Sequence, residues 1–127
     1  ELAANRKDWP MEVRPLKGAF KESSWVYDSI SSTYPSLDEV FGKGIIEVKN
    51  PTAADADKQY ELRIELTGEK SKFKEAVAKA VADKAGIALA LVSVVDPAEQ
   101  GRGGVFKVYS NNNTDESLKP TLILRYN

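Results

Sequence analysis

The run from Ile87 to Val95 (Ile-Ala-Leu-Ala-Leu-Val-Ser-Val-Val) constrains this chain more than any other stretch, because its apolar residues do not alternate. A strand with one wet face alternates, whereas a run apolar at both parities needs cover on both faces. It therefore predicts a central strand inside a layered structure, ended by Asp96-Pro97.

The segments around it supply the neighbours such a strand requires. Leu2 to Ala4 reads as a short strand, Arg6 to Pro10 as a turn, and Met11 to Leu16 as a strand with Met11 and Val13 on its apolar side. Residues 25 to 44 hold Trp25 and Tyr34 in a polar setting without periodicity, which predicts an ordered loop pinned by its aromatics. Gly44 to Lys49 reads as a strand and Asn50 to Lys58 as a polar turn. Tyr60, Leu62, Ile64 and Leu66 alternate with Glu61, Arg63 and Glu65, the pattern of a half-buried strand whose charged face carries cross-strand ion pairs.

At Thr67 the period changes. Phe73, Ala76, Val77, Ala80 and Val81 recur at helical spacing and predict one amphipathic helix with a narrow, alanine-rich stripe laid flat on a neighbour. Thr67 or Ser71 caps its start, and Gly86 is placed to end it in the left-handed conformation. Further on come a Gly-rich turn at 101 to 104, a strand from Val105 to Tyr109, a polar loop from Ser110 to Ser117 and a last strand from Thr121 to Tyr126. Strands joined by polar turns, with a single helix, predict an all-β domain built as a sandwich over residues 1 to 127.

The residue inventory narrows the chemistry. With 127 residues, 42% of them hydrophobic, one domain with a real core is the expectation. Lys plus Arg number 18 against 19 Asp plus Glu, a formal net charge of −1, so no global basic field draws the chain to nucleic acid or a polybasic membrane site. No apolar stretch is long enough to insert in a bilayer as a helix. Histidine and cysteine are both absent, which removes Ser-His-Asp and Cys-His machinery, zinc sites and iron-sulfur clusters. Disulfides are removed with them. Oxygen-ligand chemistry is what remains, so no cofactor is expected, and calcium is the one ion that Asp55 with Asp57, or Asp115 with Glu116, would suit. Neither pair has a helix-loop-helix spacing, and each reads first as a solvated turn. No acid pair is placed for glycan cleavage, so the chain reads as a non-enzyme.

Candidate ligand-binding residues lie in the N-terminal third. Lys7, Arg14, Lys17 and Lys21 make it locally basic, and Trp9 and Tyr27 offer rings on which a sugar can stack. Trp25 reads as a plug over the core. Gly101 to Gly104 lacks the Lys-Ser or Lys-Thr of a phosphate loop and reads as a hairpin connection. Asn112-Asn113-Thr114 matches the N-glycosylation acceptor pattern.

The C-terminal half carries a resemblance. Ile87 to Ser93, then Gly104-Val-Phe-Lys-Val-Tyr-Ser-Asn111, then Glu116-Ser-Leu-Lys-Pro-Thr-Leu-Ile-Leu-Arg-Tyr126 resembles the closing strands of the DNRLRE-type carbohydrate-binding-like modules. Upstream, Trp25 with Ser29 to Pro35 is similar to that family's tryptophan segment, and Leu62 to Val77 to its strand-to-helix step. The resemblance implies a jelly-roll-like β-sandwich without catalysis, carried by secreted enzymes and surface proteins, some members of which bind acidic glycans. Asn111 and Asn112 stand where the family has Arg-Glu, and Asp28 near a position where it favours Glu. The match begins at Glu1-Leu2-Ala3, inside a strand of the module, so the expectation is a sandwich incomplete at its N-terminus. Another polypeptide would then supply the missing strands, with Leu2 to Ala4 as the pairing segment. The sequence thus predicts an extracellular or cell-surface module whose partners are an acidic polysaccharide and a completing chain. The alternative is a structural subunit of an extracellular assembly.

Overall fold

The computed structural model describes residues 8–17, 23, 33–47, 59, 61–94 and 112–125. Its elements are β1 (Asp8–Lys17), β2 (Tyr34–Pro35), β3 (Gly42–Glu47), α1 (Phe73–Ala82), β4 (Leu89–Ser93) and a 3-10 turn at Glu116–Leu118. All four strands belong to one antiparallel sheet organised around β1, which pairs with each of the other three. The strands expected at Leu2 to Ala4 and Val105 to Tyr109 lie outside the described residues. So do the turns at 50 to 58 and 101 to 104, the Asp96-Pro97 stop, Asp28, Asp55 with Asp57, Trp25 and Tyr27.

β1 is longer than its apolar alternation suggests. Asp8, Trp9 and Pro10 belong to the strand rather than to a turn, paired with Glu47, Ile46 and Ile45. Proline tolerates this place because its missing N–H falls on the β4 side, just where that ladder ends: Val94 donates to the Pro10 carbonyl, and full pairing begins only at Met11–Ser93. Correspondingly β3 starts at Gly42, two residues before the expected Gly44.

Two glycines explain how the second layer sits. A Cβ on Gly42 would run into the Glu65 carbonyl and the Ile64 side chain, and one on Gly44 would lie 2.8 Å from Ile64 Cγ1 and 2.9 Å from Leu62 Cδ1. Residues 61 to 66 therefore cross the sheet over a glycine shelf, with Leu62 and Ile64 packed on buried Met11 beside Ile46. Their burial alternates as the sequence pattern requires, with Glu61, Arg63 and Glu65 exposed. Yet the segment is not a strand of the sheet. It lies on a face, where side chains make the contact and backbone pairing is not available. The expected cross-strand ion pairs are accordingly absent among the described residues, and Arg63 instead meets Glu61 on its own segment at 3.2 Å.

The central-strand expectation is corrected in part. β4 covers only Leu89 to Ser93 and pairs antiparallel with β1, but Ile87, Leu91 and Val94 remain 37%, 44% and 41% exposed. The covering segment sits over the glycines of β3 and leaves the β4 side of that face open. Likewise Thr121 to Arg125 is not a strand in the structure, and Leu122, Ile123 and Leu124 are each more than half exposed.

α1 forms where the 3.6-residue period places it. The cap position is Lys72, whose side chain makes no capping bond, rather than Thr67 or Ser71; Ser71 just before it accepts from Phe73 N–H at 3.1 Å while donating to the Leu66 carbonyl, and Thr67 donates to the Glu65 carboxylate. The stripe is buried only at its N-terminal end. Phe73 is 4% exposed, edge-on to Phe41 at 5.4 Å between ring centroids, whereas Val81 is 73% exposed. The expected flat docking thus holds at one end.

The helix end differs from expectation at a single residue. Ala85 N–H bonds the Ala80 carbonyl and Lys84 N–H the Val81 carbonyl, the hydrogen-bond pair of a Schellman motif. The left-handed residue in that motif is Lys84, at φ 51°, and not Gly86. A side chain with a Cβ is strained there, so Lys84→Gly is expected to raise stability by about 0.5 to 1 kcal/mol, read as an upward shift of the thermal midpoint.

Candidate functional site

The most organised polar cluster grows out of a break in the β1 pairing. Leu16 faces Pro35 while Val13 faces Gly42, so three steps along β1 correspond to seven along its partner. The surplus loops out between Ser36 and Phe41. Pro15 lies at this break and has no N–H to offer; its carbonyl accepts from Ser36 N–H at 2.8 Å, and the Val13 carbonyl accepts from Phe41 N–H at 2.8 Å. A bulge of this kind re-aims the chain beside it.

Arg14 fills the bulge. One terminal nitrogen donates to the carbonyls of Ser36 and Leu37 at 2.8 and 3.1 Å, while Nε and the other terminal nitrogen donate to Glu12 Oε2. Ser36, fully buried, accepts from Glu39 N–H through its hydroxyl. Glu12 keeps only 8% of its side chain exposed and also meets Lys43, its register partner on β3, at 3.0 Å. Burial pushes the Glu12 carboxyl up, but hydrogen bonds and charges from Arg14 and Lys43 outweigh it and hold the group below the ordinary glutamate range.

On the outer side of the bulge, Asp38, Glu39, Val40 and Phe41 form a shallow cleft with Lys70 and Lys72 from the turn before α1. At about 90 Å³ it is smaller than the few hundred Å³ of a typical small-molecule site, and its acids and lysines offset one another. Where β1 ends, Lys17 faces Tyr34 across the ladder. The lysine side chain is 45% exposed and the tyrosine 40%, and Asp38 lies 3.9 Å from the Lys17 ammonium.

The structure therefore divides the basic and aromatic residues singled out in the sequence. Lys7, Lys21 and Tyr27 lie outside the described residues, and Trp9 is placed by its backbone in β1, opposite Ile46. Arg14 is turned to internal use, whereas Lys17 presents its charge to solvent. Glu12, Ser36 and Lys43 escaped sequence reasoning. The signal for Glu12 with Arg14 was there, since residues two apart on a strand share a face; that Lys43 and the Ser36 carbonyl complete the cluster depends on register. Asp115 accepts from the N–H and hydroxyl of Ser117 and opens the 3-10 turn, the solvated-turn role. Among the described residues no three metal-ligating side chains converge, and no helix is long and apolar enough to cross a membrane.

Among the described residues these features define a class, a mostly-β module in which an antiparallel sheet carries a pinned bulge and one helix. No protein-family model, curated protein or solved structure matches the chain.

Proposed function

We propose that this chain is a non-catalytic β-sandwich module of jelly-roll type, belonging to a secreted or cell-surface protein, that binds or adheres to an acidic glycan. The observation that carries the reading is the Lys17–Tyr34 pair, an exposed cation and an exposed aromatic ring that face each other as register partners at the end of β1. Cross-strand partners lie on one face, so a uronate-type sugar can stack its ring on Tyr34 and place its carboxylate at Lys17. Trp9, Tyr27, Lys7 and Lys21 remain in the proposed ligand set on their chemistry alone, rings for stacking and cations for the carboxylates. Arg14 acts as a strut that fixes the bulge carrying Asp38. The layer formed by residues 61 to 66 on the sheet supports the sandwich, and so does the resemblance to DNRLRE-type modules.

Titration with an acidic oligouronate tests the reading. Binding is expected to weaken as salt rises and in Lys17→Ala, and to vanish in Tyr34→Ala, with no release of reducing ends. Binding that ignores salt and both substitutions sinks the proposed site.

A second reading, a structural subunit whose sandwich is completed by a strand from another polypeptide, is favoured by one observation. Leu122, Ile123 and Leu124 are 54%, 66% and 53% exposed in succession, a run of apolar surface that a strand from another chain would cover. Sedimentation over a range of concentrations separates the two, since only the second requires association.

A further inference from the structure

The cation of the Lys17–Tyr34 pair has an anionic neighbour. Asp38 lies 3.9 Å from the Lys17 ammonium, with 86% of its side chain exposed. A contact that long is an ion pair without a hydrogen bond, and an exposed pair of this kind contributes little to stability. Both groups therefore keep their bonding capacity for a ligand: the ammonium has donors to give, and the ionised carboxylate can only accept. Lys70 and Lys72 line the cleft beside this loop, but among the described residues it is the Lys17 ammonium that reaches the Asp38 carboxylate. The backbone that carries Asp38 is held on both sides. Ser36 N–H donates to the Pro15 carbonyl and Phe41 N–H to the Val13 carbonyl, the Ser36 hydroxyl accepts from Glu39 N–H, and Arg14 donates to the carbonyls of Ser36 and Leu37. The fold, and not a ligand, thus sets a negative charge beside Lys17 and Tyr34.

We propose that Asp38 is a specificity-determining residue of this site, and that it selects an acidic glycan in which uronates alternate with neutral sugars over one with a carboxylate on every sugar. Asp38 acts in this way only if the glycan-binding reading above holds. With a uronate stacked on Tyr34 and its carboxylate at Lys17, whatever the next sugar carries toward Asp38 meets a negative acceptor. A neutral sugar offers a hydroxyl, which donates a charge-assisted hydrogen bond. A second uronate brings a like charge to the same place, and two unit charges about 4 Å apart in water repel enough to cost roughly fivefold in affinity. Rejecting the wrong ligand through a fixed like charge is a general route to specificity.

The test compares two oligosaccharides of equal length, one of alternating glucuronate and N-acetylglucosamine and one of glucuronate throughout, each titrated against the full chain and Asp38→Asn at one ionic strength. Asparagine keeps the size of the side chain and removes its charge. The parent is expected to bind the alternating oligosaccharide more tightly. In Asp38→Asn the affinity for the all-glucuronate oligosaccharide should rise roughly fivefold, while that for the alternating one falls. Loss of one negative charge would by itself strengthen both, so opposite signs report contact with the ligand. The proposal is overturned if the parent prefers the all-glucuronate oligosaccharide, or if the substitution moves both affinities the same way or moves neither. In those cases, binding that still depends on Lys17 and Tyr34 leaves the glycan-binding reading standing. Binding of neither oligosaccharide defeats that reading and this proposal with it.

Discussion

Arg14→Ala is expected to lower the unfolding free energy by about 3 kcal/mol, because it strands the buried Glu12 carboxylate and leaves the part-buried Ser36 carbonyl without its donor. Glu12 retains 8% of its side-chain exposure and Arg14 18%, so neither charge recovers much hydration in the folded chain. Lys43 cannot take over. Its side chain is 74% exposed, and a pair with so wet a partner contributes little, so Lys43→Ala should cost less than about 1 kcal/mol. Acid provides an independent check. The folded Glu12 carboxyl titrates below its ordinary value of 4.5, so the stabilisation from its charge is complete above that value and is lost as pH falls through the folded one. In Arg14→Ala this acid limb should shrink. Urea midpoints between pH 3 and 7 (roughly the range over which a carboxylate exchanges its charge) measure both effects. Equal stability of parent and variant at neutral pH would show that the bulge is held by something other than the guanidinium.

The second large effect is expected at the helix. Phe73→Ala removes the side chain that ties α1 down at its buried end, 4% exposed and edge-on to Phe41, itself 3% exposed. Truncating a buried phenylalanine costs about 3 to 5 kcal/mol through lost transfer energy and the cavity left behind, and the ring pair adds to the loss. With Val81 exposed and no other buried residue on it, α1 is a ten-residue helix that has little else to hold it. Helices this short are marginal alone in water. Amide exchange should therefore accelerate across α1 well before it does in β1, and far-UV helicity should fall. Unchanged exchange in α1 would mean that the alanine stripe, not Phe73, docks the helix.

The helix was the most legible element, since a 3.6-residue apolar period over Phe73 to Val81 needs no distant information. The same is true of the alternation at Leu62, Ile64 and Leu66, whose parity of burial came through intact. What that alternation could not reveal is whether the segment joins a ladder or lies across a face, because both demand one apolar side. The glycines at 42 and 44 held the missing clue, but it is readable only once the segment above them is known. Of the candidate site, the basic residues were legible as a composition and their fates were not. Arg14 and Lys17, three residues apart in sequence, ended as an internal strut and a solvent-facing cation.

The sequence by itself determined the mostly-β character, the helix at Phe73–Ala82 and the absence of histidine and cysteine chemistry, because these rest on residue identity and short-range period. Tertiary structure alone decided the register of β1 against β2 and β3, the loop-out opposite Pro15, the burial of Glu12 and the pairing of Lys17 with Tyr34. The physical reason is that pairing energy depends on which backbone groups and side chains meet across the sheet, and residues far apart in the chain compete for each place. A periodic pattern is the same in every register, so only the packed structure selects one.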